Sequence, residues 1–399
     1  MRVLTLIHLY PPHHVGGYEV ACRGVMERFC ARGHEVAVLT SDVQVPGTDE
    51  SPSFNTAEVR RQLKLWFDPD AFEALRPGLA GRVAIERVNQ RAIRRAIADV
   101  RPDVASIWSL GYCSWSTVRI LEEAGVPVVV TLLDDWIIWA YVFDAWTRIF
   151  DRRPWARPLG ALTGLETRLP TFEGAVASMA SRMISDQVEQ HGRWKFPGAP
   201  IVPAGVDTSE VPIRQPLDEP WSWRLVYLGR VVEAKGVHTL VRALGELPPE
   251  TELTVIGHGP DEELRRLTAL ADEVGAHGRV RFTRVGRGEV ADRIRRADAL
   301  VFPSEWPEPF GIVPLEAMAC GVPVVATGTG GSGEFLEHEV NCLRFTPGDS
   351  SSLAAAVRRL AGDAPLRRQI TAGGTATAER LNMDRYTDTL EALHRQAAG

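Results

Sequence analysis

The stretch Leu300-Val301-Phe302-Pro303-Ser304-Glu305-Trp306-Pro307-Glu308-Pro309-Phe310-Gly311-Ile312-Val313-Pro314-Leu315-Glu316-Ala317-Met318-Ala319-Cys320-Gly321-Val322-Pro323-Val324-Val325-Ala326 is apolar at both ends and polar in its first loop. Residues 300–302 and 322–326 are nearly unbroken apolar runs, which mark strands covered on both faces. Between them, 312–319 reads as a helix after a loop broken by Pro307, Pro309 and Gly311. Strand, helix and strand in this order make a parallel crossover.

The same plan extends outward. Upstream, strands are expected at 225–228, 253–256 and 280–282, with helices at 237–247, 262–274 and 290–297. Downstream, helices are expected at 353–361, 366–381 and 385–397. The first half repeats the plan, with strands at 3–8, 36–40, 104–108, 128–132 and 201–203. Its helices fall at 19–32, closed by Gly33, and at 83–100, stopped by Pro102. Pro203-Ala204-Gly205-Val206-Asp207, followed by Pro212, Pro216 and Pro220, reads as a linker. The expected class is α/β, with two doubly wound Rossmann-like domains facing each other and the ligand at the C-terminal strand ends. Two regions fit poorly. Residues 44–82 are polar with weak periodicity. Residues 136–170 are rich in Trp and Arg and read as a packed helical insertion, with an acceptor lid or a membrane-surface patch as alternatives.

Bulk properties narrow the function. A chain of 399 residues, 45% hydrophobic and 24% charged, suits two globular domains. Residues 1–205 carry 23 basic and 23 acidic side chains, so the net −6 falls on the remainder. No broad basic surface is indicated, which argues against a nucleic-acid partner. Five cysteines without a Cys-x-x-Cys pair argue against a disulfide framework or zinc site and fit a reducing cytoplasm. The N-terminus lacks a signal layout, and no run of 18 apolar residues predicts a span. Only Lys64, Lys195 and Lys235 are lysines; the other 42 basic residues are arginines.

Three clusters could carry chemistry. Gly229 ends a strand where the backbone turns toward a ligand, and Arg230 and Lys235 follow beside a helix start. Two cations there suit a diphosphate, although a solvated surface pair is the plainer reading. Glu308 and Glu316 flank a helix start whose amides at Gly311, Ile312 and Val313 can meet oxygen. Ionised carboxylates accept from sugar or ribose hydroxyls; a helix cap at Glu308 and a solvent-facing Glu316 are the alternatives. Tyr10-Pro11-Pro12-His13-His14-Val15-Gly16-Gly17 lets backbone approach a ligand or is a tight turn. His13 and His14 have no metal partner at useful spacing and read as loop residues.

These motifs together resemble the retaining GT-B glycosyltransferases of family 4, the group 1 glycosyl transferases. The match runs through 10–17 with Glu19, 202–207, Gly229-Arg230, Lys235-Gly236, Ile256-Gly257-His258-Gly259-Pro260 and 301–331, including Gly330-Gly331. The resemblance implies a nucleotide-sugar donor, with Arg230 and Lys235 on its diphosphate. It implies Glu308 and the segment Phe310, Gly311, Ile312, Val313 on the transferred sugar, and Glu316 on the ribose. It places Gly16 and Gly17 at the phosphates, Gly257 in the donor site and Val285 at the base. It implies an acceptor-binding domain at 1–205, a donor-binding domain at 206–381 and a last helix, 382–399, returning to the first domain. The acceptor is a glycan, lipid or small metabolite. No cofactor or metal is implied, because Arg and Lys neutralise the diphosphate. A cytoplasmic enzyme is expected, with peripheral membrane contact through the first domain as a further option.

The sequence departs from the family pattern at Thr131-Leu132-Leu133-Asp134-Asp135-Trp136. Leu133 stands where a His is usual, while Asp134 keeps its place as a contact for acceptor or sugar. Arg284 also stands where a small residue is usual. Two rival readings follow: a nucleotide-sugar 2-epimerase on the same architecture, and a degenerate, non-catalytic nucleotide-sugar-binding homologue.

Overall fold

Central strands of a parallel sheet must satisfy their backbone on both sides and their side chains on both faces, so they become apolar throughout. The computed structural model, which describes residues 1–45, 57–68, 73–75, 77–208, 211–212 and 220–399, shows two such sheets. Pro216 of the expected linker and residues 46–56 of the polar region lie outside the described residues. The chain divides into unit 1, Met1–Pro203 with Tyr386–Gly399, and unit 2, Ala204–Arg385.

In unit 1 the strands are β1 (Arg2–Leu6), β2 (Glu35–Ser41), β3 (Glu58–Leu63), the small hairpin β4 (Phe67–Asp68) and β5 (Glu73–Ala74), then β6 (Val104–Ile107), β7 (Val128–Leu132) and β8 (Val176–Met179). The sheet runs β3-β2-β1-β6-β7-β8, all parallel. Its crossovers are built on α1 (Gly17–Ala31), α2 (Leu79–Val100), α3 (Ser116–Glu123), α4 (Trp136–Phe143), α5 (Thr147–Arg152), α6 (Arg157–Ala161) and α7 (Arg182–His191). Two sequence expectations change here. The strand expected at 201–203 is a single bridge from Ile201 to Met179, and the strand lies at β8 instead. The polar region holds β3, an edge strand partnered only by β2, which is why its residues need not be apolar.

The Trp- and Arg-rich stretch is a packed helical insertion. Trp136 and Trp146 are fully buried, Trp136 stacks on Trp115 at 5.5 Å, and the Trp146 indole N–H donates to the Glu166 carbonyl at 2.7 Å. Trp155 alone of its tryptophans is well exposed, at 70%.

Unit 2 contains β9 (Arg224–Leu228), β10 (Glu252–Ile256), β11 (Val280–Thr283), β12 (Ala299–Phe302), β13 (Val324–Ala326) and β14 (Leu343–Arg344), in the order β11-β10-β9-β12-β13-β14. All pairs are again parallel. The helices are α8 (Val237–Ala243), α9 (Asp261–Glu273), α10 (Val290–Ile294), α11 (Ile312–Ala319), α12 (Ser350–Gly362) and α13 (Ala364–Arg380). The final helix, α14 (Met383–Ala398), begins in unit 2 and continues into unit 1. There Leu390 and His394 are fully buried, and His394 meets Phe29 edge-on at 5.2 Å.

Both sheets share one topology, so both reverse direction at the same place: between β1 and β6, and between β9 and β12. Loops leaving the C-terminal ends of those strand pairs diverge and open a crevice. Residues 10–17 sit on the loop after β1, Arg230 and Lys235 follow β9 and Glu308 follows β12, while Asp134, Gly257 and Val285 follow the neighbouring strands β7, β10 and β11.

Candidate active site

In unit 2 the loops after β9 and β10 stay side by side beyond the sheet. Gly229 N–H donates to the Ile256 carbonyl at 3.0 Å, and Val231 N–H to the His258 carbonyl at 2.7 Å. A Cβ on Gly257 would lie 1.8 Å from the Gly229 carbonyl oxygen, so only glycine permits this approach. Arg230 leaves this rail exposed, and its carbonyl is fixed by the Tyr227 hydroxyl at 2.6 Å. The turn carrying Lys235 is tied to the loop after β12, because Glu305 and Trp306 N–H both donate to the Ala234 carbonyl, at 3.0 and 3.1 Å. That tie brings Lys235 Nζ to Glu308 Oε1 at 2.6 Å.

Glu308 is 5% exposed and is pinned from behind. Its carbonyl accepts from Gly331 N–H at 2.7 Å, and it bridges Gly330, where φ is +60° and a Cβ would meet the Glu308 carbonyl at 2.6 Å. Phe310 buries its ring against Phe335 at 5.0 Å, so what it offers a ligand is backbone. Gly311 caps α11, leaving Ile312 and Val313 half-buried in its first turn. Glu316, 2% exposed, pairs with Arg287 Nη1 at 2.5 Å. The solvent-facing alternative for Glu316 is therefore excluded.

Val285 is half-buried between exposed Arg284 and half-buried Arg287. Burial lowers the His258 pKa, and Arg284 and Arg230 lower it further. The edge thus gathers Arg230, Lys235, Arg284 and Arg287, with carboxylates held close to two of them. Arg287 was not foreseen from the sequence. The available signal was the need of a buried Glu316 for a cation, but the partner is set by tertiary structure.

In unit 1 the loop after β1 is clasped by β3: Arg61 donates to the Tyr10 and Pro11 carbonyls at 3.0 and 2.8 Å. Gly16 caps α1, and its N–H donates to Glu19 Oε2 at 3.2 Å. A Cβ at Gly16 would meet nothing within 4 Å, so the fold itself does not demand glycine there. Gly17 opens α1 beside it. Glu19 Oε1 lies 3.2 Å from His8 Nε2, and His8 Nδ1 lies 3.0 Å from the Ser109 carbonyl. Burial opposes charge on both members of this pair, yet each outweighs it for the other: His8 is raised and Glu19 lowered.

Asp134 is half-buried after β7, with Oδ1 accepting from Trp136 N–H at 2.9 Å. Burial pushes its carboxyl up to about 7, with Asp135 and Glu19 adding and the Trp136 N–H and His8 opposing. His8 was expected only as the end of a strand. Among the described residues, no group of three or more His, Cys, Asp or Glu is placed to hold a metal ion.

Residues 213–377 match the family model described as Glycosyl transferases group 1, and residues 16–205 match the Glycosyl transferase 4-like domain. The chain belongs to the group 1 glycosyltransferases. This glycosyltransferase is 29% identical over 410 residues to a glycogen synthase of Mycobacterium tuberculosis, covering 96% of this chain and 91% of the relative. It is 32% identical over 259 residues to a D-inositol 3-phosphate glycosyltransferase of Xylanimonas cellulosilytica, covering 60% and 61%. Among solved structures it superposes on a sucrose-phosphate synthase of Thermosynechococcus elongatus with TM-score 0.71, 20% identity and coverage of 99% and 98%. It superposes equally on HepE of Anabaena, solved with UDP-glucose, with TM-score 0.70, 19% identity and coverage of 98% of each chain. The glycosyltransferase therefore has the GT-B fold.

Proposed function

We propose that this enzyme transfers a sugar from a nucleoside-diphosphate sugar to an acceptor hydroxyl, with retention of configuration and without a metal ion. The observation that carries the reading is the Lys235–Glu308 pair formed between the loops after β9 and β12, with Arg230 on the first of those loops and Glu316, paired with Arg287, on the helix that follows the second. In the reaction the bond from the anomeric carbon to the diphosphate oxygen breaks, and the acceptor oxygen bonds to that carbon from the same face. The acceptor proton passes to a diphosphate oxygen. Negative charge grows on the leaving diphosphate, where Arg230, Lys235 and the amides of Gly311, Ile312 and Val313 stabilise it. The two cations supply the charge a divalent ion would otherwise provide.

Glu308 binds hydroxyls of the transferred sugar, Glu316 the ribose and Val285 the base, with Gly229 and Gly257 giving the backbone room. Unit 1 is read as the acceptor side. Gly16 and Gly17 offer backbone to phosphate, which accounts for a glycine the fold does not require, and Asp134 meets acceptor or sugar. Acceptors with hydroxyls of a glycan, lipid or small metabolite fit the reading. None of the described helices is long and apolar enough to cross a membrane; the proposal places the enzyme in the cytoplasm, with or without contact to the inner membrane face.

HepE's complex with UDP-glucose makes UDP the first nucleotide to try. A thermal-shift screen with UDP, GDP, ADP, dTDP and their sugars tests the assignment. A ligand at 100 times its Kd adds about 2.7 kcal/mol, and one base should stand out, unchanged by EDTA. No shift with any of them contradicts the donor reading; a shift abolished by EDTA contradicts metal independence.

A further inference from the structure

At the other edge of the unit 2 sheet, where its strands begin, lies a cavity of about 260 Å³. Five arginines line it: Arg224 at the start of β9, Arg295 and Arg296 on the turn into β12, and Arg367 and Arg368 in the opening turns of α13. With 42 arginines in 399 residues, its fourteen lining residues would carry one or two by composition alone.

For three of them the side-chain hydrogen bonds go to neutral acceptors, which satisfy protons without cancelling charge. Arg295 donates to the Cys320 carbonyl, Arg367 to the Leu360 and Ala361 carbonyls, and Arg224 Nε to the Ser222 hydroxyl at 3.0 Å. The Arg296 guanidinium has no partner among the described residues. Asp298 is the one acid lining the cavity among them; it accepts from the backbone N–H of Ser222 and Arg224 at 3.2 and 2.7 Å and from the Ser222 hydroxyl, and its single negative charge stands against five arginines. Like charges collected this way repel one another, and an anion relieves that cost.

We propose that this cavity binds a small phosphorylated anion, a sugar phosphate or inorganic diphosphate, at a site separate from Arg230 and Lys235. Planar guanidiniums suit phosphate oxygens. Trp221, which carries Arg367 at 5.5 Å from its ring centre, gives an apolar wall for a sugar ring. Sites for drug-sized ligands run from about 300 Å³ upward, so this cavity takes something smaller than a nucleotide sugar.

The test is calorimetric titration of the Arg230→Ala/Lys235→Ala variant with inorganic phosphate, pyrophosphate and glucose 6-phosphate. That background removes two of the four cations at the donor edge, so the part of the remaining heat that charge reversal in the cavity abolishes reports a second site whatever the fate of the donor assignment, which UDP titration of the unaltered protein reads separately. Near-stoichiometric binding of at least one probe is expected, weakened about tenfold or more by Arg296→Glu and by Arg224→Glu. Both side chains are exposed, so both variants should fold. Tightest binding of pyrophosphate would identify an inorganic ligand, and of glucose 6-phosphate a sugar phosphate. Absence of binding by all three, or binding that survives both charge reversals, overturns the site.

Discussion

Lys235 and Glu308 answer to two demands at once. Glu308 is almost wholly buried, so its charge needs a partner, yet the proposed reaction needs Lys235 for phosphate. Lys235→Ala should therefore lower nucleoside-diphosphate affinity about tenfold or more and also lower thermal stability. Adding Glu308→Gln should recover stability but not affinity; calorimetry and melting curves on the two variants separate the effects. Asp134 makes a different prediction. Its carboxyl holds a proton up to about pH 7, so a role as hydroxyl acceptor requires pH to rise through that value. Turnover should climb through pH 7, and Asp134→Asn should remove that limb of the profile. The four charged residues of unit 2 were legible because their spacing follows strand ends and a helix start. Arg287 and His8 were not, since which side chain a buried carboxylate meets is set by tertiary packing and leaves no spacing to read.

Elements show the same division. β6, β7, β12 and β13 are buried at every residue, so their sequences carry no polar alternation and read plainly as strands. β3 was hidden because an edge strand exposes much of its length, and β8 because Val-Ala-Ser-Met is short and weakly apolar. The rail formed by the loops after β9 and β10 yields a sharp expectation. Gly257→Ala must push the Arg230 loop away, costing roughly 1–3 kcal/mol and weakening diphosphate binding, measurable by denaturation and titration. α14 gives a pH expectation. Burial lowers the His394 pKa to about 4, below its usual 6.5. Burial pushes Glu391 up, but Arg32, Arg395 and His34 pull it further down, to about 2. The unfolded chain thus takes up more protons than the folded one as pH falls from about 6.5. Stability should drop across that range, by roughly 3 kcal/mol for His394 alone. Replacing His394 with Leu should flatten the curve between pH 6.5 and 4.

At the scale of the whole molecule, unit 1 is built from both ends of the chain. Tyr386, Leu390 and His394 fill its interior from the last helix, and each fully buried apolar side chain is worth about 1.5–3 kcal/mol. Ending the chain at Arg385 should therefore weaken or abolish unit 1's melting transition while unit 2 keeps its nucleotide affinity, a contrast that differential scanning calorimetry with and without UDP would display. The same closure orders events on the ribosome. The first 203 residues emerge early but lack the piece that completes their core, and all of Ala204–Arg385 is translated before that piece appears. At about 5–20 residues per second, the interval is roughly 10–40 s. During it Phe29 and its neighbours await their final cover, so nascent unit 1 is the stretch of this chain on which a chaperone has most to do.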